Sequence, residues 1–196
     1  MSPAKRVWFG LLFAAAFGVA AGWFKGNDAG LRGSIGNLSA PWLLVALLPA
    51  LHCRSVMRGA LLGLTSTLVA LAGFYAALTA VLADQLGGGG HLTELFVEVG
   101  ANRIYFLGGI VTGPILGAIG AWIGRHRPDS VWLVAGALVA GEILVVALVH
   151  GHQLLVAPFY FSWGVTDWTP YIGESIVGIA IVLAALCRKR SRVTTR

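Results

Sequence analysis

The chain has 196 residues, of which 57% are hydrophobic and only 11% are charged. A soluble domain usually carries about 25% charged residues, so this composition excludes a soluble enzyme, a disordered tail and a secreted disulfide scaffold. It is typical of a protein that crosses a membrane several times. The net charge of +6 does not indicate nucleic-acid binding, because membrane proteins concentrate Lys and Arg on their cytoplasmic side.

Six apolar segments have the length and composition of membrane-crossing helices, each close to the roughly 17–25 residues that a crossing needs. They cover residues 7–24, 38–53, 59–83, 104–124, 130–149 and 168–187. The second is short and contains Pro49, and the fifth either ends at Val149 or continues to Ala157. We therefore predict one all-α transmembrane bundle over residues 1–196.

The charges predict the orientation of this bundle. With the N-terminus in the cytoplasm, 11 of the 14 basic residues lie on the cytoplasmic side: Lys5, Arg6, Arg54, Arg58, Arg125, Arg127, Arg188, Lys189, Arg190, Arg192 and Arg196. That asymmetry follows the positive-inside rule, and the seven tryptophans fall near segment ends, at headgroup level. We expect a multi-pass protein of the cytoplasmic membrane with both ends inside. The alternative for the first segment is a cleaved signal peptide, with Val19-Ala20-Ala21 as the cleavage site.

Two outer loops are unusual for their apolar content. Leu92, Leu95, Phe96 and Val99 have helical spacing and predict a short amphipathic helix, which either covers the bundle mouth or contacts lipid. The loop 151–170 is too apolar for a free loop, and we interpret it as an extension of the fifth helix or as a re-entrant lid.

Small residues recur every four positions in two of the helices: Ala14, Gly18 and Gly22 in the first, and Gly109, Gly113, Gly117 and Ala121 in the fourth. Such stripes let helix backbones approach closely. The simpler interpretation is packing inside the bundle, and the alternative is a docking face for another membrane subunit or a second copy.

Polar residues gather in the outer half of the predicted bundle, and Glu142 lies near the middle of the fifth segment. A charge at that depth costs about 2.5–3.5 kcal/mol on insertion scales, so Glu142 must face the bundle. We predict a ligand-binding pocket from residues at this level: Glu142, Arg103, Glu174, Tyr75, Tyr171, His150, Asn37 and Trp163. The structural alternative is an Arg103–Glu pair with caps that tie the last three helices together.

No cofactor or metal is indicated by the sequence. His150 and His152 point in different directions on a helix, and neither a zinc-protease motif nor a nucleotide-binding glycine loop is present. Cys53 and Cys187 both fall at cytoplasmic helix ends, where a disulfide is not expected. The basic run from Arg188 to Arg192 is a topogenic tail or, alternatively, a phospholipid-binding segment.

The chain resembles a family of small six-helix membrane proteins of unknown function from high-GC Gram-positive bacteria. The matching residues are Asn37 with Trp42, Gly73-Phe74-Tyr75, the run Gly113–Gly117 followed by Arg125, Gly141-Glu142, and Tyr171 with Glu174 and Gly178. The resemblance implies that the outer polar residues form one recurring framework. In architecture the chain is also similar to the substrate-binding subunits of energy-coupling-factor vitamin transporters, whose first helix docks through small residues.

Three functional hypotheses follow from the sequence. The first is a small-solute-binding or transport subunit with an outward-facing pocket. The second is an assembly protein that acts through helix–helix contacts. The third is a membrane enzyme acting on lipid-linked substrates, with Glu142, Glu174 or His150 as acid or base. We expect the lipid bilayer, a small molecule and another subunit or copy as partners, rather than nucleic acid.

Overall fold

The structure is a computed structural model that describes residues 3–26, 30–85, 95, 99–100, 103–149, 153–156, 159–162 and 167–194. Its helices are α1 (Pro3–Lys25), α2 (Gly30–Gly36), α3 (Ala40–Ala50), α4 (Val56–Gln85), α5 (Arg103–His126), α6 (Val131–Val149) and α7 (Thr169–Thr194). A 3₁₀ turn (Pro128–Ser130) precedes α6, and strands β1 (Gln153–Val156) and β2 (Phe159–Ser162) lie between α6 and α7.

Within the described residues, six helical segments are long and apolar enough to cross a membrane. They cover Lys5–Lys25, Gly30–Ala50, Val56–Asp84, Phe106–His126, Val131–Leu148 and Thr169–Lys189. Large apolar side chains on their outer faces are exposed, with Leu148 76% and Phe9 67% accessible. A soluble monomer does not expose apolar surface on this scale, whereas lipid covers it. The predicted all-α, six-span membrane protein is confirmed.

The helices divide into a four-helix unit and a two-helix unit. In the first, α4 packs against both α1 and α5, and α3 packs against α4 and α5. In the second, α6 and α7 pack mainly against each other. The two units meet along a narrower seam, where α3 contacts α6 and α2 contacts α7. This seam separates the helices that carry the two membrane-embedded glutamates from the main core.

The glycines of the predicted small-residue stripes lie at contacts between helices inside the bundle. A Cβ atom added to Gly18 would overlap the backbone carbonyl of Ala70 on α4. One added to Gly117 would overlap the carbonyl of Gly59, also on α4. Close contacts of this kind are what the packing interpretation predicts for α1 and α5. The docking face for another subunit or a second copy stays a prediction.

The second crossing differs from the sequence prediction of one short helix over residues 38–53. It begins earlier, at Gly30, and consists of α2 and α3 separated by a break at residues 37–39. Its helical part ends at Ala50, one residue after Pro49. The sequence interpretation was wrong because α2 is glycine-rich and is only seven residues long, so its hydropathy does not mark it as half of a span.

The predictions for the two unusual loops agree with the structure to different degrees. Leu95 and Val99 are helical and pack against the buried cluster of Leu71, Tyr75 and Leu78, which favours a helix over the bundle mouth. Their predicted partners at positions 92 and 96 lie outside the described residues. The fifth helix ends at Val149, as its predicted bounds have it, and the alternative of an extension to Ala157 is not observed, because β1 pairs antiparallel with β2 there.

Candidate functional site

The break between α2 and α3 creates a problem of backbone hydrogen bonding at membrane depth. In hydrocarbon, each N–H group needs a partner within the protein. The N–H groups of Asn37 and Leu38 donate to carbonyls three residues earlier, and that of Trp42 donates to the Ser39 carbonyl. Pro41 has no N–H group, which makes it suitable for the first turn of α3. The N–H groups of Ser39 and Ala40 remain, and no local carbonyl accepts them.

Glu142 accepts both of these remaining hydrogen bonds. Its Oε1 atom lies 2.5 Å from the nitrogen of Ser39, and its Oε2 atom lies 2.5 Å from the nitrogen of Ala40. The Glu142 side chain is buried, with 6% of the residue accessible. A carboxylate at a helix N-terminus also interacts favourably with the helix dipole. Glu142 on α6 therefore caps α3 across the seam between the two helical units.

Glu174, on α7, faces Glu142. The hydrogen bond from Ser175 to Ala140 and the close contact of Gly178 with Ala140 set a register between α6 and α7 that brings the Glu174 carboxyl group next to that of Glu142. The Oε2 atom of Glu174 is buried and has no hydrogen-bond partner among the described residues. A buried polar atom without a partner is rare in proteins and calls for an explanation. The structure thus brings two of the predicted pocket residues, Glu142 and Glu174, near each other.

The α6–α7 contact beside this pair is very close. Ser175, next to Glu174, is buried and donates a hydrogen bond of 3.1 Å from Oγ to the carbonyl of Ala140. A Cβ atom on Gly178 would overlap the backbone of Ala140. Tyr171, one turn before Glu174, is also buried and lies against the ring of Trp168. These contacts fix α7 relative to α6 and hold the glutamates together.

Tyr75 belongs to a chain of aromatic rings in the four-helix unit. Its ring stacks on that of Phe106 with centroids 5.0 Å apart, and it meets Phe74 edge-on. Phe74 in turn contacts Trp42, which contacts Phe17, both in edge-to-face geometry. Tyr75 is 2% accessible. The rings join α1, α3, α4 and α5 through favourable aromatic contacts.

The other predicted pocket residues are not all placed by the structure. Asn37 lies in the break before α3 and is exposed. Arg103 is the first residue of α5, but its side chain lies outside the described residues. His150 and Trp163 also lie outside them. The ligand-binding pocket therefore remains a prediction.

Arg32 on α2 is a polar residue at the Trp23 end of the bundle that is not among the predicted pocket residues. Its Nη2 atom donates a 2.8 Å hydrogen bond to the carbonyl of Trp23, and its guanidinium carbon lies 3.7 Å from the centre of the Trp23 ring. These contacts fasten α2 to the end of α1. The signal available in the sequence was an arginine near an interfacial tryptophan, a pairing that stacking favours.

Two ionisable groups outside the spans have shifted pKa values. Burial raises the pKa of the Cys53 thiol, and the nearby charge of Arg58 partly opposes this. The backbone N–H group of Thr169 donates a 2.8 Å hydrogen bond to Asp167 and thereby lowers the pKa of that carboxyl. Within the described part of the chain, no cluster of three or more His, Cys, Asp or Glu side chains is arranged to hold a metal ion.

Comparison with known proteins adds no family to these observations. No protein-family model, no curated protein and no solved structure matches the chain.

Proposed function

We propose that this protein is a small-solute-binding or transport subunit of the cytoplasmic membrane, with its polar site at the seam between the four-helix and two-helix units. The observation that carries the proposal is the Glu142–Glu174 pair beside the break between α2 and α3. Ionisable groups inside a membrane are retained mainly where they bind or move something. Broken helices at membrane depth commonly surround substrate sites in transporters.

The division into two units also supports this proposal. The α6–α7 pair has a close internal interface, marked by Gly136 and Gly178, each of which leaves no room for a Cβ atom against the other helix. Its contacts with the four-helix unit are fewer and include the polar contact of Glu142 with the start of α3. A solute site between two such units would open and close as they rock against each other.

A structural function is the second candidate, because one observation favours it. Both oxygens of Glu142 are already occupied by backbone N–H groups. Glu142 therefore has a sufficient role in completing α3. No comparable structural role accounts for Glu174, since its buried Oε2 atom lacks a hydrogen-bond partner among the described residues. The distinction between a binding site and an assembly role consequently depends on Glu174.

The test compares small molecules that copurify with the wild type, with Glu174→Gln and with Asp84→Asn. Asp84 is an exposed acid at the end of α4, so its variant makes the same chemical change away from the seam. Each protein is purified in mild detergent, denatured, and its released metabolites are measured by mass spectrometry. We expect a compound retained by the wild type and Asp84→Asn and lost from Glu174→Gln. Identical profiles for all three proteins would contradict the proposal.

A further inference from the structure

We propose that the Glu142–Glu174 pair is a proton-binding site, in which one proton is held on Glu174 and shared with Glu142. This inference rests on the proposed function, because it assigns a coupling ion to the same site. It concerns the chemistry of the pair itself, however, and the proton can be detected without knowledge of the solute.

The hydrogen-bonding inventory of the two carboxyl groups leads to this assignment. An ionised carboxylate only accepts hydrogen bonds, so two ionised glutamates placed side by side by the register of α6 and α7 have no donor between them. Two such charges in contact inside a membrane repel each other strongly, and one shared proton removes the repulsion. Glu142 already accepts from Ser39 and Ala40. The proton therefore belongs on Glu174, whose O–H group donates to Glu142.

The helices around the pair carry few ionisable groups that compete for this role. Helix α3 has none, and Glu142 is the only one on α6. On α2, which packs against α7, the only ionisable group is Arg32, and its guanidinium is engaged with Trp23. On α7 itself, Tyr171 is the other ionisable group in the outer part of the span.

The remaining neighbours of α6 and α7 carry ionisable groups mostly at their ends. Helix α5, which packs against α6, has Arg103 and Tyr105 in its first turn and Arg125 and His126 in its last. The 3₁₀ turn that precedes α6 has Asp129. Glu142 lies 11 residues along α6 from Val131, about 16 Å at 1.5 Å per residue, so Asp129 is remote from the pair.

Infrared spectroscopy of the purified protein in lipid nanodiscs tests the proposal directly. A protonated carboxylic acid has a carbonyl stretching band that is absent from a carboxylate and shifts on deuteration. We expect the wild type at neutral pH to show this band, Glu174→Gln to lose it and Asp84→Asn to keep it. Glu174→Gln retains a side chain that can donate to Glu142, so it should fold, and Glu174→Asp provides a second variant that should restore a shifted band.

Two results would overturn the proton assignment. One is a neutral-pH spectrum in which the wild type and Glu174→Gln are identical in the carboxylic acid region. The other is a band that disappears when sodium chloride replaces choline chloride at constant pH, because the pair would then bind a metal cation. Failure of the proposed solute-binding function would give a different result from failure of the proton assignment. If the band behaves as expected while the copurifying molecules do not change, the proton site stands and the solute site is rejected.

Discussion

The carboxyl group of Glu142 and the backbone nitrogen of Ala40 are 2.5 Å apart, although 102 residues separate them in the chain. This contact connects the α6–α7 unit to the start of α3. A hydrogen bond to a charged group contributes about 1.5–3 kcal/mol in proteins, and a buried donor left without its partner costs about 1–3 kcal/mol. The stability of α3 and the position of the polar site therefore depend on the same side chain.

Replacing Glu142 should destabilise the fold in proportion to the acceptors lost. Glu142→Leu removes both acceptors from the N–H groups of Ser39 and Ala40, and we expect a loss of about 2–5 kcal/mol. Glu142→Gln keeps one carbonyl oxygen and should lose less. Unfolding of the detergent-solubilised protein by heat or denaturant measures the difference. Equal stability of Glu142→Leu and the wild type would show that α3 does not need this cap.

The effect of replacing a glycine of α5 by alanine should depend on whether a neighbouring helix lies against that glycine. Gly117 meets the backbone of Gly59, so Gly117→Ala should destabilise the protein by about 1–3 kcal/mol through overpacking. Gly108, on the same helix, has open space around it, and Gly108→Ala should be neutral or stabilising by up to about 1 kcal/mol because alanine favours helix. The two variants are compared by thermal unfolding. A larger loss for Gly108→Ala would refute this packing.

Cys53 should report the orientation of the protein. With Cys187 replaced by serine, a membrane-impermeant maleimide should label Cys53 in inside-out vesicles and leave intact cells unlabelled. Since burial raises the pKa of the thiol and the thiolate is the reactive form, labelling should accelerate about tenfold per pH unit below that pKa. Labelling of intact cells would place the loop between α3 and α4 outside and reverse the predicted topology.

The start of α7 should weaken in acid. The hydrogen bond from Thr169 lowers the pKa of Asp167 in the folded protein, so the ionised carboxylate stabilises the fold above its unfolded pKa. This contribution disappears as the pH falls through the lower, folded pKa. Between roughly pH 5 and 3, the melting temperature of the wild type should therefore drop more than that of Asp167→Asn. Parallel pH profiles would mean that Asp167 does not support α7.

Much of the candidate site could be predicted because membrane depth restricts what a charge can do. Glu142 in an otherwise apolar segment had to face the bundle, and it does, with 6% of its surface accessible. The sequence also placed Glu174 at the same level. It did not identify what Glu142 contacts, because its partners are backbone N–H groups, which every residue except proline possesses. Only the break after α2 makes those of Ser39 and Ala40 available.

The number of crossings and the close approach of helices along the glycine stripes could be predicted without a structure. Hydropathy over about 20 residues and the spacing of small residues are local properties. They can be read from the sequence without knowing which helices lie next to each other. Three features are known only from the folded structure: which helices the stripes contact, where the second crossing breaks, and which polar groups face each other. Those outcomes depend on contacts between residues far apart in the chain, and no local pattern records which of several apolar helices packs beside another.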